Sequence, residues 1–214
     1  MRKFLLALAF LMYAPSVLAH HPLGGMPLVT FSHGFLSGIG HPVLGFDHLF
    51  FVVLVGVAAV FTQRKYLASA AYIVAMLAGC LVVSAGYKVP ATELIVSLSL
   101  LVLGVIVLRG YGLPFVRAMA IFAGFGFFHG AAFAGFLADQ EAGVSFTVLI
   151  GYLMGLGITQ YGIAIMSAGL SAHFCKSDMP MDLRPRFAGA MVAGVGLFLL
   201  LEQLEEPLIR TIAG

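Results

Sequence analysis

The chain has 214 residues, of which 61% are hydrophobic and only 9% charged, with a mean hydropathy of +1.07 and a net charge of +2. A water-soluble domain carries about 25% charged residues, so this composition excludes a soluble globular body, and the small net charge gives no footprint for nucleic acid. The 26 glycines, about 12% of the chain against an ordinary ~7%, favour closely packed membrane helices.

In chain order, residues 1–19 read as a cleaved signal peptide. Arg2 and Lys3 form a basic start, Phe4 to Tyr13 an apolar stretch, and Val17-Leu18-Ala19 a small-residue cleavage site. The stretch is short for a span and is interrupted by Pro15. Cleavage would leave His20-His21-Pro22 at the mature terminus. Residues 20–214 then form one membrane domain. Its apolar runs predict six spans near 43–61, 67–85, 94–108, 115–137, 146–170 and 187–201. The expected fold is an all-α integral membrane protein, a bundle of six transmembrane helices. Arg64, Lys65, Arg109, Arg117, Lys176, Arg184 and Arg186 fall in alternate loops, against Lys88 and Arg210 on the other side. Basic loops stay cytoplasmic, so both ends of the mature chain are expected in the periplasm. Neither Cys80 nor Cys175 has metal-site spacing, and their different layers argue against a disulfide.

Small residues at helical spacing, Gly151/Gly155, Ala190/Gly194 and Gly124/Gly126/Gly130, predict close helix contacts. Gln160 and Tyr161 sit mid-span, where interhelical hydrogen bonding is the default role.

The informative groups are those that apolar surroundings should not tolerate. Asp47 is the acidic residue set well inside a predicted span, and no Lys or Arg is there to neutralise it. An ionised carboxylate in hydrocarbon costs a few kcal/mol or more unless it faces a cavity and a partner. His48 adjoins it, and His41 lies seven residues earlier, so one continuous helix would turn His41 and His48 to the same side. Pro42 would then occupy that helix's first turn. His33 lies in the Gly-broken stretch SHGFLSGIGHP, which reads as a re-entrant or half-length helix. His129, on the fourth span, falls at a depth similar to His48. Imidazole nitrogen with carboxylate oxygen suits divalent first-row metals. Asp47, His48 and His129, with His41 above them, therefore form a candidate cation site. Asp47–His48 as a purely structural pair, fixing the imidazole tautomer, is the alternative. Weaker candidates are His20 and His21 at the mature terminus, His33, and Glu141 beside Asp139 in an acidic outer loop.

These residues carry a resemblance. HPVLGFDH, His41 to His48, resembles the HX5DH signature of the HupE/UreJ family, and FHG, Phe128 to Gly130, is similar to that family's second motif. The likeness, with a signal peptide, a His-Pro start and six spans, covers essentially the full chain. It implies permeation of nickel or cobalt for hydrogenases, ureases or cobalamin synthesis, with His41, Asp47, His48 and His129 along the metal pathway. Many members continue the second motif with another His or Glu. Here Ala131 to Gly135 is wholly apolar, and Glu141 is the residue that would match a later glutamate.

The expected function is therefore an inner-membrane permease for Ni2+ or Co2+ in a bacterial cytoplasmic membrane, moving the ion inward without a resident cofactor. No nucleotide-binding motif points to ATP coupling. Expected partners are the divalent ion and the bilayer, with a second copy or a metalloenzyme-maturation system as further candidates. Rival readings are an intramembrane zinc hydrolase, with Asp47 as base, and a non-transporting accessory or sensor protein.

Overall fold

The computed structural model describes residues 27–138, 144–174 and 182–213, the side chains of Phe136, Ala138 and residues 206–213 excepted. The segment read as a signal peptide, His20, His21, Asp139, Glu141 and Cys175 lie outside the described residues. Among the described residues seven α-helices follow in order: α1 Phe31–Leu44, α2 Phe46–Ala59, α3 Lys65–Ser84, α4 Thr92–Arg109, α5 Phe115–Ala138, α6 Phe146–Phe174 and α7 Leu183–Ala213. A short 3-10 turn, Val60–Thr62, extends α2. No strand occurs among the described residues.

Five of these helices, α3 to α7, are long and apolar enough to cross a bilayer. α1 and α2 together have the length and composition of one further span but meet at an angle of 81°, the form of a broken span or of a re-entrant loop. The predicted first span is thus half right: 43–61 runs across the break at Gly45 instead of along one helix. The half-length helix expected from SHGFLSGIGHP is present as α1. Pro42 lies inside α1, close to its C-terminus, and not in the first turn of the following helix. Its lack of an N–H removes one intrahelical bond just before the chain turns. Gly45 then serves both helices. Its N–H donates to the His41 carbonyl (2.9 Å), and its own carbonyl accepts from the Leu49 N–H (2.9 Å).

The helices pack as three intimate pairs, α1 with α6, α3 with α5 and α4 with α7, while α2 touches every one of the others. Small residues set the pairs, because dispersion and close backbone approach replace the hydrophobic effect between helices in lipid. Gly34 and Gly38 on α1 interlock with Gly151 and Gly155 on α6. A Cβ at Gly38 would stand 2.8 Å from the Leu156 nitrogen, and one at Gly151 would stand 3.0 Å from the Phe35 nitrogen. Gly79, Gly126 and Gly130 close the α3–α5 seam, and Gly104, Gly189 and Gly196 the α4–α7 seam. The expected use of Gly151/Gly155 is thus borne out. Gly124 and Gly194 instead face open space, so their predicted contacts are corrected to Gly126/Gly130 and Gly189/Gly196. Apolar residues surround these helices on several sides, which is why spacing alone did not separate the packed glycines from the open ones.

Basic residues gather at one end of the bundle. The Arg64 guanidinium lies over the Phe115 ring (5.2 Å), joining the α2–α3 connection to the start of α5. The Arg186 Nε donates to the Leu108 carbonyl (2.8 Å), and Arg184 donates to the Phe174 carbonyl. These are the exposed carbonyls at the C-terminal ends of α4 and α6, where cations are favoured.

Candidate metal site

The first turn of α2 carries the site. Gly45 is the N-cap, followed by Phe46, Asp47 and His48. The positive end of the helix dipole favours a carboxylate at this position. Asp47 is about a quarter exposed, while His48 is buried beside it, with Asp47 Oδ2 3.7 Å from His48 Nε2. A Cβ at Gly45 would sit 3.1 Å from His48 Cδ2 and 3.3 Å from Asp47 Oδ1, so the hinge glycine also makes room for both side chains.

His48 and His129 meet directly. Their Nδ1 atoms are 2.7 Å apart in a buried contact. This bears out the expectation that the first and fourth predicted spans bring these histidines to one depth. His129 is fully buried, its ring stacked on Phe51 (centroids 4.2 Å apart, 18° between planes) and approached edge-on by Tyr72 at 6.2 Å. On its far side, Nε2 is 2.8 Å from Ser99 Oγ on α4. Ser99 in turn donates to the Val96 carbonyl at 2.6 Å.

The proton positions follow from this chain of contacts. A hydroxyl has one proton, and the two oxygens 2.6 Å apart require it between them, so Ser99 donates to Val96. His129 Nε2 must then be the donor to Ser99 Oγ. In a neutral imidazole this leaves His129 Nδ1 as an acceptor. The proton between the two Nδ1 atoms consequently belongs to His48. When neutral, His48 therefore presents its Nε2 lone pair toward the Asp47 carboxylate. Two electron-pair donors facing each other make a place for a cation, either a metal ion or a proton on Nε2 that turns the contact into an ion pair. Donors bound at about 2.1 Å stand roughly 3.0–3.4 Å apart for angles of 90–109°. The observed 3.7 Å is within a few tenths of an ångström of that separation.

His41 reaches the neighbourhood by another route than predicted. The expected shared helical face does not exist, because His41 is on α1 and His48 on α2, across the 81° bend. What brings them together is Phe133 on α5. Its buried ring takes the His48 ring at 4.1 Å and the edge of the His41 ring at 5.4 Å. Tyr152 of α6 holds this outer layer, donating from its hydroxyl to the Phe133 carbonyl at 3.1 Å, with His41 Nδ1 3.3 Å from the same oxygen. His33 stands at the other end of α1 and serves as part of its cap. The Thr30 hydroxyl accepts from the His33 N–H (3.2 Å), and His33 Nδ1 accepts from the Val29 N–H (3.4 Å). Below His129, Tyr72 donates to Gln160 Oε1 at 3.4 Å, the interhelical role expected for Gln160.

Among the described residues no group of three or more His, Cys, Asp or Glu side chains could hold a metal ion. The arrangement offers two protein donors, Asp47 and His48 Nε2, with His129 behind His48 as its hydrogen-bond partner. Ser99, Phe133, Tyr72 and Tyr152 were not singled out from sequence. Ser99 sits two residues from Ser97 in an apolar run, and the chain pattern treats both alike.

Comparison with known proteins agrees with this picture. The family model described as HupE / UreJ protein matches residues 8–199. No curated protein and no solved structure matches the chain. A match over nearly the whole length, on a helical membrane bundle with Asp47, His48 and His129 gathered at one point, places the chain in the HupE/UreJ family of membrane proteins.

Proposed function

We propose that the chain is a permease for a divalent transition metal, Ni2+ or Co2+, carrying the ion from periplasm to cytoplasm. The family's association with nickel and cobalt transport or with urease and hydrogenase maturation agrees with this reading. The observation that carries it is His48 Nε2 facing the Asp47 carboxylate at 3.7 Å, with His48 Nδ1 engaged by His129. An imidazole nitrogen and a carboxylate oxygen are suitable donors for either metal. Two protein donors leave room for retained waters. That suits a transit site, which must bind well enough to load and weakly enough to release. The basic ends of alternate helices support a cytoplasmic placement of that end of the bundle. With that orientation the membrane potential favours inward movement by about 2.3 kcal/mol per charge per 100 mV.

Uptake of radiolabelled Ni2+ and Co2+ into cells lacking other permeases tests the reading, with Zn2+ and Cu2+ as competitors. Expression of the chain should raise Ni2+ or Co2+ uptake well above background. In the same assay His129→Phe keeps a ring between Phe51 and Tyr72 but deprives His48 Nδ1 and Ser99 of their partner. Loss of such an outer hydrogen-bond partner costs about 10- to 100-fold in affinity, so uptake at limiting metal should fall by about that factor. Uptake equal to the parent would remove His129 from the site. The accessory reading is favoured by one observation, the lack of a third metal donor beside Asp47 and His48 among the described residues. It predicts that uptake depends on another membrane protein. A hydrolytic zinc site ordinarily has three protein ligands and gains no support from this geometry.

A further inference from the structure

We propose that Ser99 is a positioning residue that sets which nitrogen of His48 is available to a cation, acting through His129. The inference rests on the reading of Asp47 and His48 as the cation site. Its basis is a directional chain of three contacts: Ser99 Oγ to the Val96 carbonyl (2.6 Å), His129 Nε2 to Ser99 Oγ (2.8 Å), and His48 Nδ1 to His129 Nδ1 (2.7 Å). All three side chains are buried, so no solvent is at hand to supply an alternative donor or acceptor. The direction of the first contact fixes the other two. A serine hydroxyl inside a helix donates back to a carbonyl one turn earlier, and that leaves its oxygen as an acceptor. His129 must donate from Nε2 and accept at Nδ1, and His48 must carry its proton on Nδ1. The consequence is felt at the other end of the relay, where Nε2 is left bare beside Asp47.

Without the Ser99 oxygen this preference disappears. His129 could then carry its proton on Nδ1 and donate toward His48, which would accept at Nδ1 and hold its proton on Nε2. That tautomer points an N–H at Asp47 and occupies the position a metal needs. Ser97 provides an internal comparison. It is equally buried on the same helix, but its hydroxyl donates to the Glu93 carbonyl (3.0 Å) and accepts from Gln203 Nε2 (2.8 Å), away from the histidines.

The test uses the purified full chain in detergent, metal-free and at alkaline pH, with 15N-labelled histidine. The His48 signals are assigned by their loss in His48→Asn. The expected spectrum shows His48 protonated on Nδ1 and bare on Nε2 in the parent, in Ser97→Ala and in Ser99→Thr, whose hydroxyl can make the same backbone bond. In Ser99→Ala the two tautomers should mix, and affinity for added Ni2+ should weaken by about 10-fold or more, with Ser99→Thr restoring most of it. A parent His48 protonated on Nε2 overturns the proposal. So does an unchanged tautomer in Ser99→Ala. The parent spectrum needs no variant, so a misfolded Ser99→Ala leaves the test decisive. If the predicted tautomers appear but no Ni2+ or Co2+ binds the parent, the relay stands and the cation reading falls.

Discussion

Asp47→Asn should reduce Ni2+ and Co2+ uptake to the level of cells that lack the chain, while the protein still folds. The substitution preserves shape and removes only the charge. The bare His48 Nε2 then faces an amide, which can donate to it and hold the space shut. Truncating one partner of a buried charge pair costs about 2–5 kcal/mol of binding free energy. Asp47 is about a quarter exposed, so the lower end applies, and about 2–3 kcal/mol corresponds to roughly 30- to 150-fold in affinity. No Lys or Arg lies beside Asp47 in the described spans, and the basic side chain next to the carboxylate is the His48 imidazole, 3.7 Å away. The check is an uptake time course at limiting metal, with membrane abundance measured in parallel. Uptake at the parent rate would mean that the carboxylate is not a ligand.

Gly130→Ala should have the largest effect on the fold. A Cβ there would overlap the Met76 carbonyl oxygen and come within 2.6 Å of its carbon and 2.9 Å of its Cα. These are backbone atoms at the α3–α5 seam, and they cannot rotate aside as a side chain could. Overpacking typically costs about 1–3 kcal/mol, and here the relief is a separation of two helices. That separation also moves Tyr72 away from His129, which adjoins Gly130 in sequence. Thermal unfolding in detergent should therefore drop clearly, and metal uptake with it. Gly162→Ala is the matched control. A Cβ at that position meets nothing within 4 Å, so its stability should be unchanged or slightly raised. Equal melting of the two variants would mean that the α3–α5 approach is not as close as described.

Much of this architecture was legible because bilayer thickness imposes a length on each apolar run. The helices from α3 to α6 begin and end within a few residues of the predicted spans. The last helix continues to Ala213, beyond the predicted end at 201, since charge ends the hydrocarbon-compatible region but not the helix. Asp47, His48 and His129 were legible for a different reason. Ionisable side chains in an apolar span are costly enough to stand out. The break at Gly45 was not legible, because the polar residues around it, His41, Asp47 and His48, also fit the cavity-facing side of one continuous helix and Pro42 was compatible with a helix start. The supporting residues were hidden by chemistry too ordinary to notice. A helical serine can satisfy itself on its own backbone, and Ser97 and Ser99 differ only in which neighbouring helix they meet. Phe133 belongs to the apolar stretch after FHG. Its ring packs against both His41 and His48, so an aromatic surface flanks the site.

The central claim is that Asp47 and His48 Nε2 together hold the cargo. X-ray absorption at the nickel edge, on purified chain loaded with one equivalent of Ni2+, addresses it most directly. The predicted spectrum shows a single imidazole among oxygen ligands from Asp47 and water, with the imidazole contribution lost in His48→Asn and retained in His41→Asn. Failure to bind one equivalent, or an imidazole signal that survives His48→Asn, would contradict the account.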